Sequence, residues 1–308
     1  MTAFLFPGQG SQHPAMLQTP GLCRASLDDA ARFLAIRSEL PTLADLDTAP
    51  QLENTTNTQL ALLIVGVAAA RSLTKHWGAD YPAVVAGHSV GAFAAAVVAG
   101  ALTFDEALEA VRIRGQGMER ICRQGVWGMA AVIGVTLRQA KILVDEACTD
   151  NDPLWIANVN SRRQIVFSGT GRALDRLSAC AERAGVTRVE PLDVPVASHG
   201  PLLRPVKESL TAYLDGIPER PLHSGYLTNT GSRRVHDSVG VLADLAASVA
   251  EPVQWMTIAE ILPELGIARA AEMPPGHILT ALSAGPDLQV TAVADIGIAA
   301  TARRLQRQ

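Results

Sequence analysis

The pentapeptide Gly87-His88-Ser89-Val90-Gly91 has the residue types and spacing of nucleophilic catalysis. It follows the apolar run Ala83-Val84-Val85-Ala86 and opens a small-residue stretch over 92–102. A buried strand that turns through a glycine-flanked serine into a helix is a nucleophile elbow. Side chains at the glycines would collide with the neighbouring strand and helix. The first free N–H groups of the following helix, beginning near Val90, then face an oxyanion formed at Ser89. The competing reading is a plain structural turn, and the strand before and helix after the motif weigh against it.

A serine hydroxyl needs a base to take its proton. The chain has seven histidines. His13 and His277 sit near glycine- or proline-rich turns, and His76, His223 and His236 lie in polar surroundings that suggest the surface. His88 adjoins the serine, and at so sharp a turn its side chain is expected to point away from the serine's. His199, in Val196-Ala197-Ser198-His199-Gly200, remains as the candidate base. From spacing alone a surface histidine is an equally good reading.

Two further stretches bear on the same chemistry. Phe6-Pro7-Gly8-Gln9-Gly10-Ser11-Gln12 reads as a strand ending in a glycine-rich turn, whose successive N–H groups suit an anion. Gln9 there could supply a second oxyanion bond beside the N–H of Val90; a simple strand-to-helix turn fits as well. Arg114 falls on the apolar stripe Leu108, Val111, Met118 and Ile121, three residues after Val111 and four before Met118. Arg112 falls off the stripe and is expected in solvent. A guanidinium on an apolar face requires a carboxylate, either an internal Asp or Glu or the carboxylate of a ligand.

The elements that must position these residues follow from pattern. Thr2 to Phe6 reads as a buried strand, Leu60 to Leu73 as a core helix, and Thr103 with Glu106 as a capping box before a helix to about Arg123. Within 125–196 the order is strand (128–134), helix (137–148), strand (154–160), strand (164–169), helix (173–184), strand (186–194). This β-α-β-β-α-β order is a ferredoxin-like module. The sequence therefore predicts an α/β fold: a large parallel-sheet unit over 1–124 and 197–308, interrupted by an inserted unit over 125–196.

Composition narrows the function classes. Of 308 residues, 48% are hydrophobic and 18% charged, which suits a well-buried α/β protein. A net charge of −4 with 4% aromatics leaves no basic or base-stacking footprint for nucleic acid. Cys23, Cys122, Cys148 and Cys180 are scattered without paired spacing, so neither a metal site nor a disulfide framework is expected. No signal peptide and no apolar window long enough for a bilayer stand out, so a cytoplasmic protein without membrane association is expected.

Taken together, these stretches resemble the malonyl-CoA:acyl carrier protein transacylases, the acyltransferase family of fatty-acid and polyketide synthesis. The resemblance runs from Phe6 to about Leu282. Beyond the motifs above it includes ANVNSRRQIVFSG at 157–169, ASHGPLL at 197–203, EPVQW at 251–255 and PPGHILTAL at 274–282. It implies an α/β-hydrolase-like domain interrupted by a ferredoxin-like one, with the site in the cleft between them. It implies Ser89 as acylated nucleophile, His199 as base, and main-chain N–H groups of Gln9 and Val90 as oxyanion hole. Arg114 would pair with the free carboxylate of the malonyl group. The histidine's other nitrogen would be held by the main-chain carbonyl of Ser248, where the family carries an amide residue. His88, Asn160 and Ser198 are further pocket candidates.

The implied reaction is ping-pong transfer from malonyl-CoA, as substrate, to a phosphopantetheine thiol of an acyl carrier protein, with no bound cofactor and no metal. Val90-Gly91-Ala92-Phe93 departs from the fatty-acid pattern, as does Glu272-Met273-Pro274-Pro275-Gly276. The latter, with Gln59 to Ala68, looks like the malonyltransferase (epsilon) subunit of bacterial malonate decarboxylase. The alternatives are the same reaction for fatty-acid or polyketide synthesis, and a serine hydrolase or thioesterase sharing elbow and base.

Overall fold

The computed structural model describes every residue except Thr187, Pro195, Arg307 and Gln308. Its strands are β1 (Thr2–Phe6), β2 (Val84–Gly87), β3 (Trp127–Ile133), β4 (Leu154–Ser161), β5 (Gln164–Thr170), β6 (Arg188–Pro191), β7 (Pro221–Leu227), β8 (Arg234–Asp237), β9 (Arg269–Glu272) and β10 (Gln289–Ala292). They form two sheets.

The larger sheet runs β10-β9-β1-β2-β7-β8, parallel except for the β8 edge. β1 and β2 are buried at every position, as an apolar run in the middle of a parallel sheet must be. Their register pairs Phe6 with Gly87, so the two strands finish level. The loops that leave them, Pro7–Gly10 and His88–Val90, therefore emerge side by side at the carboxyl edge, where ligands bind in open α/β sheets. The approach is close. A Cβ on Gly91 would lie 2.2 Å from the Phe6 carbonyl oxygen, and one on Gly8 2.7 Å from that of His88. This is why both positions are glycine.

Helix Thr55–Trp77 extends the expected 60–73 at both ends: Asn54 caps it by accepting from the Asn57 N–H, and Gly78, at φ 77°, stops it. It packs against helix Phe104–Cys122, which begins at the expected capping box, Thr103 and Glu106 each bonding the other's N–H. Arg112 on that helix is not solvated as its place off the stripe suggested. Glu109, one turn earlier on the same helix, and Glu39, brought beside it by packing, both pair with it, and it is half-buried.

The smaller sheet, β4-β5-β3-β6, is antiparallel throughout and carries helices Leu137–Ala147 and Gly171–Arg183 in the order the sequence predicts. The last strand is shorter than 186–194, spanning Arg188–Pro191, with Leu192 N–H still donating to Met129 O at 2.9 Å. Thr187 and Pro195, inside or beside that expected strand, lie outside the described residues. Between the sheets, Val159 N–H donates to Val253 O (2.8 Å) and Val253 N–H to Ala157 O (3.0 Å), tying β4 to the segment after residue 248. Among the described residues, no helix is long and apolar enough to cross a membrane, and no cluster of three or more metal-ligating side chains occurs.

Candidate active site

Ser89 sits at the tip of the turn after β2 with φ 55°, the left-handed conformation an elbow imposes. Helix Gly91–Ala99 follows directly. The side chain opens into a cavity of about 520 Å³ between the two sheets. Gln9, His88, Arg114, Asn160, Ser198 and His199 line the same cavity, so residues separated by as many as 190 positions converge.

His199 lies 110 residues from Ser89 in sequence, and its Nε2 is 2.8 Å from Ser89 Oγ. Its Nδ1 is 2.5 Å from the carbonyl oxygen of Ser248. A carbonyl can only accept, so Nδ1 carries the hydrogen and Nε2 is left free to accept from the serine hydroxyl. The Ser248 side chain is not involved; its hydroxyl donates to Leu245 O. The imidazole is 2% exposed. Burial, then the nearby Arg114 cation, push its pKa down to about 3, so it is neutral at pH 7 and able to take a proton. The segment carrying it is pinned to the small sheet: Ser198 N–H donates to Ser168 Oγ (2.8 Å), and Trp155 Nε1 donates to Ser198 O (3.0 Å).

Arg114 is 1% exposed. Its Nη2 donates to Ser89 Oγ at 3.0 Å, its Nε has no partner, and among the described residues no carboxylate forms an ion pair with it. Burial lowers its pKa to about 10, still charged at neutral pH. Of the two readings the apolar stripe left open, an internal carboxylate is therefore absent among the described residues, and the guanidinium faces the cavity.

The His88 ring stands on the cavity wall, where Nε2 donates to Asn160 Oδ1 at 3.0 Å. Asn160, on β4, in turn donates from Nδ2 to Gln164 Oε1 at 3.2 Å. Burial holds the His88 pKa below its ordinary value. Gln9 lies beside the elbow as the strand register requires, and the N–H groups of Gln9 and Val90 bond to no other backbone group among the described residues.

Sequence reasoning missed Asn229 and Asp244. Asn229 Oδ1 accepts from the Ser89 N–H (3.0 Å), and Asp244 Oδ2 accepts from the Asn229 N–H (2.8 Å). Neither belongs to a motif with a spacing of its own. What brings Asn229 to the elbow is that β7, which ends two residues earlier at Leu227, lies beside β2.

A buried serine–imidazole pair at the carboxyl edge of a parallel sheet, with free N–H groups beside it, is built for acyl transfer. The acyl transferase domain model matches residues 3–306, and this chain belongs to that family: it is an acyltransferase. A malonyl CoA-acyl carrier protein transacylase of Salmonella typhimurium is 32% identical, over 91% of each chain. The solved structure of the malonyl CoA-acyl carrier protein transacylase of Coxiella burnetii superposes with a TM-score of 0.89 at 29% identity, over 99% of this chain and 98% of that one. A malonyl-transacylase solved with its type II PKS acyl-carrier protein superposes equally well, at 0.89 and 28% identity, over 99% of both chains.

Proposed function

We propose that this enzyme moves the malonyl group of malonyl-CoA, through an ester on Ser89, to the phosphopantetheine-type thiol of an acyl carrier protein. The observation that carries the reading is Arg114: a buried, charged guanidinium that lacks an acidic partner among the described residues and touches the serine. A malonyl carboxylate supplies the missing charge in the fork geometry that arginine prefers.

The geometry supports the following steps. Ser89 Oγ attacks the thioester carbon as its proton passes to His199 Nε2, and the Ser248 carbonyl steadies the imidazolium through Nδ1–H. The N–H groups of Val90 and Gln9 receive the oxyanion. The C–S bond then breaks, coenzyme A leaves as the thiol with the proton from His199, and malonyl-Ser89 remains. The carrier thiol gives its proton to His199 and repeats the sequence in reverse. The malonyl carboxylate has a second effect. It offsets the Arg114 charge, which after burial is the next cause of the low His199 pKa.

Residues 125–196 are read as a module inserted into a catalytic unit formed by 1–124 and 197–308. In support, every strand of the larger sheet comes from outside that segment. A cytoplasmic setting fits the four free cysteines. The finer assignment of the acceptor, to the carrier subunit of malonate decarboxylase, rests on the Gln59–Ala68 and Glu272–Gly276 sequences. Comparing kcat/KM for that carrier and for a fatty-acid carrier, both in thiol-bearing form, tests it; preference for the fatty-acid carrier overturns it. For the reaction itself, intact-mass spectrometry after brief exposure to malonyl-CoA is expected to show one malonyl adduct, absent in Ser89→Ala. An adduct that persists in that variant moves the nucleophile elsewhere.

A further inference from the structure

The Asn229 side chain is fully buried and spans the elbow. Its Oδ1 accepts from Ser89 N–H at 3.0 Å and its Nδ2 donates to Gly87 O at 2.9 Å. These two backbone groups bracket His88, just where the β2–β7 ladder has ended: its last pair is Ala86 with Leu227. The amide thus continues the sheet's hydrogen bonding across a turn that cannot do so itself. Only an amide fits, because the Ser89 N–H can only donate and the Gly87 carbonyl can only accept. An aspartate would set an oxygen against the carbonyl.

Asn229 is itself held. Asp244 Oδ2 accepts from its N–H and from Tyr226 Oη (3.1 Å), while Oδ1 accepts from Thr230 N–H (3.0 Å) and Thr230 Oγ1 (2.9 Å). Asp244 lies on helix Ser238–Ala247, and Ser248, whose carbonyl fixes the His199 imidazole, is one turn further on. Ser248 N–H donates to Asp244 O at 2.8 Å. One helix end therefore sets both partners: the nucleophile through Asp244 and Asn229, the base through Ser248.

We propose that Asn229, backed by Asp244, is a positioning residue for acyl transfer, holding the left-handed Ser89 in register with His199. It also occupies the Ser89 N–H, which leaves the oxyanion to Val90 and Gln9. This rests on the reading of Ser89 as nucleophile. Misplacing a reacting atom by about 1 Å costs on the order of 10²-fold in rate.

The test measures single-turnover malonyl-enzyme formation, KM for malonyl-CoA, and the labelling rate with a fluorophosphonate, which reacts at the serine without coenzyme A contacts. Asn229→Ala is expected to lose about 10²-fold in acylation, with labelling falling in parallel and KM within about threefold. Asp244→Asn is expected to lose about tenfold in the same two rates, being one bond further back. A folded Asn229→Ala that acylates within about threefold of wild type overturns the proposal, as does a KM that rises as much as acylation falls. Should Asn229→Ala not fold, Asp244→Asn decides: unchanged acylation and labelling in a folded protein overturns it. Absence of a malonyl adduct on wild-type Ser89 would instead overturn the proposed function.

Discussion

Replacing Arg114 separates charge recognition from the chemistry of the elbow. The guanidinium is buried, bonded to Ser89 Oγ, and without an acidic partner among the described residues, so the substrate carboxylate would be its only counter-charge there. Breaking a buried charge pair by removing one member costs about 3–5 kcal/mol. At 1.36 kcal/mol per tenfold, Arg114→Ala is expected to lower kcat/KM for malonyl-CoA by roughly 10²- to 10⁴-fold. Acetyl-CoA has no carboxylate to lose, and its acylation of Ser89 should change by no more than about tenfold. The assay is single-turnover coenzyme A release with each thioester, paired with intact mass to count acyl groups. A second arm adds formate to wild type with acetyl-CoA. A small carboxylate beside Arg114 should cancel the charge facing His199 and speed acetylation saturably, with no such effect in Arg114→Met. Equal losses for malonyl and acetyl transfer refute the carboxylate role. Formate acting alike in both proteins refutes the coupling between Arg114 and the base.

Other expected outcomes concern the groups around it. His199 stays neutral in the folded protein down to about pH 3, whereas in the unfolded chain it takes a proton near 6.5. The unfolded state therefore binds more protons between those values, and stability is lost as pH falls through that window. The loss is about 2 kcal/mol at pH 5; denaturant unfolding at pH 7 and pH 5 should show this acid slope reduced in His199→Gln, and an identical slope would count against a buried neutral imidazole. Gly91→Ala places a Cβ 2.2 Å from Phe6 O. A cost of about 1–3 kcal/mol in stability is expected, with slower acylation; a variant equal to wild type in both would mean the two loops do not meet so closely. Ser248→Ala should keep acyl transfer within a few-fold, roughly under 1 kcal/mol, because the main-chain oxygen holds His199. A hundredfold loss would give the side chain a role its bond to Leu245 does not suggest.

Local chemistry determined much of this protein from sequence alone. The turn at Ser89, the capping box at Thr103 and Glu106, and the strand–helix order of the smaller sheet each depend on neighbours a few positions apart. Those relations leave a readable period or spacing. Arg114 was legible for the same reason, since a charge on a helical stripe is a local anomaly. Which partner it meets was not legible.

Tertiary structure decided what meets across long stretches of chain. Spacing could not choose between surface and base for His199; the pinning of residues 196–200 to the small sheet brought it to Ser89. Arg112 left solvent because packing brought Glu39 beside it, alongside Glu109 of its own helix, and His88 met Asn160, 72 positions away, across the cavity. Asn229 and Asp244 carried no motif of their own, because a side chain that satisfies another strand's backbone is selected by position in space. Hydrogen-bond vacancies at a sheet's edge are filled by whatever the fold delivers there, and that delivery has no fixed spacing in the chain.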